Sequence, residues 1–146
     1  MKGIANLFGG DRMRKVNFLN ILLLFFIIGC IGREVGLDKD EYLESFEASL
    51  KSQGMEVRQV QPSTNAVMEN VVPYKFNIKE TGEEEDAIFI YFFETSSQVE
   101  NAVKNAEYTI TTLTKVTEYK RGNILVVHYA FDGFTEKYGS KIKKAI

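Results

Sequence analysis

One cysteine, one histidine and two prolines are all that 146 residues contain, and each shortage removes a class of explanation. A lone cysteine cannot close an internal disulfide. One histidine with one cysteine is too few for a Cys/His zinc site. The chain has no P-loop, no G-x-S-x-G elbow, no H-E-x-x-H and no G-x-G-x-x-G, so the familiar nucleotide, hydrolase and zinc-protease signatures are missing. Basic excess is missing too: 18 Lys and Arg stand against 20 Asp and Glu. Nothing offsets phosphate charge, and nucleic acid is not an expected partner. A run of about 20 apolar residues, the length that spans a bilayer, is also lacking. The longest oily stretch, Phe18 to Ile28, is eleven residues and is interrupted by Asn20.

What is present begins with that stretch. Arg14 and Lys15 precede it, and Ile27-Ile28-Gly29-Cys30 ends it, with the only cysteine directly after glycine. A basic start, a short apolar core and small residues at the cut are the three parts of an export signal. The segment resembles that of a bacterial lipoprotein precursor, whose lipobox ends in Gly or Ala and then the Cys that carries lipid. The resemblance implies cleavage after Gly29 and a diacylglyceryl thioether on Cys30, which becomes the first residue. Two or more acyl chains attach a protein stably where one does not. A buried hydrophobic cysteine closing an apolar helix is the plainer alternative. An uncleaved signal anchor carrying the same external domain is another.

The expected organisation is a signal peptide over residues 1–29, a short tether over 30–37 and a single domain over 38–146. Met1 to Arg12 add little to a signal complete from Met13. Gly9-Gly10 can be encoded by a purine-rich run of the kind bacterial ribosomes pair with, so initiation at Met13 is one expectation and a long n-region the other. Removing Lys2, Arg12, Arg14, Lys15 and Asp11 with the signal leaves 14 basic and 19 acidic residues, a net charge of −5. That charge favours solubility. Gly32 and Gly36 loosen a tether of only a few residues, which would hold the domain close to the outer face of the cytoplasmic membrane, on the cell-wall side.

Within the domain, Leu43, Phe46 and Leu50 fall on one helical stripe over Lys39 to Gln53. Asp38 stands as cap with Glu41 in a capping box, Leu37 and Tyr42 sit at staple spacing, and Gly54 is the left-handed stop. Met55 to Val60 reads as a short strand, followed by a connection broken at Pro62. After Pro73, Tyr74, Phe76 and Ile78 alternate with Lys75, Asn77 and Lys79, the pattern of a half-buried strand. Ala87 to Phe93 is apolar on both parities, as in a strand covered on both faces, and these two strands form a hairpin. A second helix starts near Ser96 or Ser97, with Ser97 and Glu100 in a capping box. Thr109 to Thr114 is ambiguous. Lys115 to Lys120 and Asn123 to Phe131 form a hairpin about Arg121-Gly122, and Phe134, Tyr138, Ile142 and Ile146 recur every four residues in a C-terminal helix. The fold class is α+β: a two-layer antiparallel sheet with packed helices, preceded by an N-terminal signal helix.

Candidate chemistry is thin. No catalytic residue and no metal ligand set emerges, and no cofactor is implied beyond the lipid on Cys30. His128 in the strand LVVHY reads as a hydrogen-bonded structural histidine. Glu83-Glu84-Glu85-Asp86 lacks the spaced ligands and glycine of a calcium loop and reads as a solvated hairpin tip. Lys137, Lys141, Lys143 and Lys144 read as the wet face of a helix packed through Phe134, Tyr138 and Ile142, ahead of contact with anionic headgroups. Phe89, Tyr91, Phe92 and Phe93 are core candidates before they are a cleft. The expected role is a membrane-anchored surface lipoprotein acting as a non-enzymatic binding or interaction module of the cell envelope. Its partners would be the membrane, through the lipid, and an envelope protein, to which an edge strand such as Met55 to Val60 could add. The rival is a small carboxylate-based hydrolase with two carboxyls facing one cleft.

Overall fold

A computed structural model describes residues 38–146. The signal helix, the cleavage site, the tether and the Leu37 staple expected over residues 1–37 lie outside the described residues. Three helices and five strands follow one another: α1 (Lys39–Ser52), β1 (Glu56–Val60), β2 (Tyr74–Lys79), β3 (Asp86–Phe92), α2 (Ser96–Lys104), β4 (Lys115–Arg121), β5 (Ile124–Ala130) and α3 (Glu136–Ala145). The strands make one sheet in the order β1-β2-β3-β5-β4. Every neighbouring pair is antiparallel, so the α+β class is correct. Among the described residues no helix is long and apolar enough to cross a membrane.

Alternation along the strands decides what each face carries. Phe76, Ile78, Ile88, Ile90 and Val126 point to one side, where Phe46 and Leu50 of α1 and Tyr138 and Ile142 of α3 bury against them. Tyr91, Leu125 and Val127 point to the other, with Val99 and Ala102 of α2. The expected two layers are therefore three. The physical reason is that β3 and β5 are apolar on both parities and bury nearly every residue, so both their faces need cover. α2 supplies only part of it. The rest comes from the chain between β1 and β2 and from the segment after α2, and this is where the sheet face stays open.

The ends of the elements follow from local chemistry. Asp38 caps α1 by accepting from the Asp40 N–H at 3.0 Å, and Gly54 takes the left-handed stop at φ +81°. The α2 cap is Thr95, not Ser97. Gln98 donates its N–H to the Thr95 hydroxyl and accepts from the Thr95 N–H with its side-chain oxygen, and it also reaches the Glu94 N–H. The β4–β5 hairpin closes through Gly122-Asn123 with Arg121 opposite Ile124. Only the first of the two turn residues has positive φ, the type II′ pattern that suits twisted strands.

Two further expectations are corrected. Phe134 does not pack under α3: it is 66% exposed, because the turn at Asp132-Gly133 delays the helix to Glu136. The acidic run is not simply a solvated tip. Glu83 pairs with Lys137, Glu85 with Arg58 and Asn77, and Asp86 is buried. Two of the four C-terminal lysines are likewise engaged, Lys137 as above and Lys141 with Glu80. β1 does lie at the sheet edge, with exposed Glu56 and Arg58 on it, charges that discourage indiscriminate pairing.

Candidate binding cleft

The uncovered part of the second sheet face is a cleft of about 510 Å³. Its floor is made by Ala87, Phe89 and Tyr91 of β3, Tyr129 of β5 and Phe131 just past the end of β5. One wall is the connection from Ser63 to Glu69, and the other runs from the end of α2 through Asn105, Tyr108 and Thr109.

The aromatic side chains brace one another. Tyr129 is the hub: its ring centroid lies 5.3 Å from Phe89, 5.9 Å from Tyr108 at 86° and 6.5 Å from Phe131. Edge-to-face pairs of this kind add to area burial because the positive ring edge meets the negative face. Two phenols are tied at their polar ends. Tyr91 donates to the Ala66 carbonyl at 2.8 Å, which pins the first wall to the floor. Tyr108 donates to Glu118 Oε1 at 2.6 Å, which pins the second wall to β4. Burial raises the pKa of both well above the ordinary phenol value, and the Glu118 carboxylate raises Tyr108 further. Tyr129 is raised by burial as well.

The first wall carries backbone strain. Met68 and Val71 exchange backbone hydrogen bonds across a two-residue turn, and Glu69 and Asn70 both have positive φ, at 46° and 64°. That is a type I′ turn, which favours Asn-Gly. Asn tolerates it, whereas Glu at its first position is held at a cost on the order of 1 kcal/mol. Inward packing of Met68 and Val71 on the second core offsets this. So does a hydrogen bond from Asn105 Nδ2 to Glu69 Oε1 at 3.1 Å, which joins the two walls at the rim.

The residues singled out in the sequence are distributed as follows. Gly29 and Cys30 lie outside the described residues. His128 is fully buried and its Nε2 lies 3.0 Å from Asp86 Oδ2, while Asp86 Oδ1 accepts from the Phe131 N–H. This pair shares the face of Ile88 and looks toward α1 and α3, away from the cleft. Phe89 and Tyr91 line the cleft, Phe92 joins the first core and Phe93 the second. Tyr108, Tyr129 and Phe131 were not singled out at all. The available signal was the repetition of aromatics two apart, Phe89/Tyr91 and Tyr129/Phe131, on strands already expected to be covered on both faces.

The cleft offers aromatic faces, phenol and amide groups and a few charges. Glu69, Lys75 and Glu107 are the charged groups lining it. The one buried carboxylate among the described residues, Asp86, is committed on the opposite face. No group of three or more His, Cys, Asp or Glu placed to hold a metal ion occurs among the described residues. No family model, no curated protein and no solved structure matches this chain.

Proposed function

We propose that the protein is a bacterial envelope lipoprotein, attached to the outer face of the cytoplasmic membrane through lipid on Cys30, and that its domain is a binding module working through the aromatic cleft. The observation that carries the binding reading is a preformed concavity floored by mutually braced rings and rimmed by a few polar groups, the usual composition of a ligand site. The lipobox-type segment Ile27-Ile28-Gly29-Cys30 supports the location. Intact mass of the membrane-extracted protein tests that part. Loss of residues 1–29 together with lipid mass, abolished by Cys30→Ala, is expected. An unprocessed chain with a free thiol would instead support the uncleaved signal anchor.

A second reading, a carboxylate-based hydrolase, draws on the presence of both Glu69 and Glu107 along the same cleft. It requires one carboxyl to donate a proton and the other to activate water or attack. Turnover of cell-wall polymer that vanishes in Glu107→Gln while binding persists would favour it. Binding without turnover favours the module.

A further inference from the structure

Lys75 is an ammonium resting on the cleft floor without a carboxylate partner. Its Nζ lies 5.5 Å from the centroid of the Phe89 ring, and it forms no ion pair among the described residues, although Lys79, four residues along the same strand, pairs with Glu56. What holds it there is the negative face of an aromatic ring. The rest of the cleft repeats that preference. The ring of Tyr129 adjoins Phe89, and the ring of Phe131 adjoins Tyr129 in turn. Glu69 and Glu107 outnumber the single lysine along the lining. Glu69 has one carboxylate oxygen bonded to Asn105, and Glu107 makes no side-chain hydrogen bond among the described residues.

From this arrangement we infer that the cleft recognises an alkylammonium group, of the kind carried by a lysine side chain or a free aliphatic amine, and that Lys75 occupies its place when no ligand is bound. The inference deepens the binding-module reading and rests on it. The ligand's cation would lie on the floor between Phe89, Tyr129 and Phe131, its stem along the rings, with Glu107 at the mouth. Lys75 is a long, flexible side chain and leaves the floor by rotation, without a change of fold.

The test is a titration of the full chain in detergent micelles, followed through the ring resonances of its tyrosines. The probes are n-butylammonium, neutral n-butanol and anionic butyrate, and an acetylated, amidated peptide carrying one lysine or, as control, one norleucine. Saturable shifts at Tyr129 and Tyr108 with n-butylammonium, and none with butyrate, are expected. Tighter binding of the lysine peptide than of n-butylammonium would identify a peptide as the source, and equal binding a free amine. Phe131→Ala and Glu107→Gln, both at exposed positions, should each weaken ammonium binding, by about tenfold at most. Lys75→Ala should strengthen it severalfold, because the resident competitor is gone.

That last sign is the sharpest discriminator, since an anion site would lose affinity on the same substitution. Butyrate or butanol binding in place of n-butylammonium would overturn the inference and leave the binding module standing. Absence of shifts with every probe would overturn it as well. The lipid anchor is decided separately by mass.

Discussion

Asp86 shows how much one side chain can carry. It is 3% exposed, and its two oxygens serve His128 and the Phe131 N–H, so it ties the start of β3 to the end of β5. Removing it leaves the buried His128 ring nitrogen and the part-buried Phe131 N–H without partners, and such orphaned groups cost more than the bond itself contributes. Asp86→Ala should therefore destabilise the fold by about 3 kcal/mol in urea denaturation, while leaving cleft residues in contact. A loss under 1 kcal/mol would mean that water replaces the carboxylate. Tyr108 makes a prediction of a different kind. Its folded pKa is raised above the ordinary value of 10.0, by burial first and then by Glu118. Below that pH the phenol is protonated in folded and unfolded chains alike, and stability is complete. Above it the unfolded chain gives up its proton while the folded chain retains it, so stability falls as pH rises. Tyr108→Phe should cost about 1 kcal/mol at neutral pH through the lost hydrogen bond and should flatten the decline above pH 10. An equally steep decline in the variant would assign it to other phenols, Tyr91 first.

At the scale of elements, legibility in the sequence tracked how local the deciding contacts are. Tyr74, Phe76 and Ile78 alternate because one strand face is buried, and that can be read from six residues. The start of α2 cannot, because Thr95, Ser96 and Ser97 are all competent caps. The choice falls to Thr95 since only from there can Gln98 return to two backbone donors, those of Glu94 and Thr95. Thr95→Ala should accordingly cost about 1 kcal/mol, and Ser97→Ala only a few tenths; equal costs in thermal melts would restore Ser97 as the cap. The four-residue spacing from Phe134 to Tyr138 misled for a related reason. Gly133 has φ +82°, and a Cβ there would stand 2.7 Å from the Leu113 carbonyl oxygen, so the turn is set by a distant loop. The cleft was the least legible feature. Its walls and floor come from separate stretches of chain, and aromatics that line a cleft have the same spacing as aromatics that fill a core.

For the molecule as a whole, the consequence of three layers is that the two cores cannot separate. Ile88 and Ile90 belong to the first and Tyr91 to the second, yet they are neighbours on β3. Val126 and Leu125 divide in the same way on β5. Melting either core frees the strands on which the other depends, so a chain beginning at Asp38 is expected to unfold in one cooperative step. Two probes can watch the two sides of the sheet. Tyr138 and Tyr42 report on the side of α1 and α3, and Tyr91 and Tyr129 on the cleft side; selective ring labels would distinguish them by resonance in a urea series. Coincident midpoints are the expected result. A lower midpoint for Tyr91 and Tyr129 would show that the α2 layer is a detachable cover. The strained turn at Glu69 and the Asn105 bond would then be a latch between separately stable parts, and the cleft would open by local unfolding before the sheet gives way.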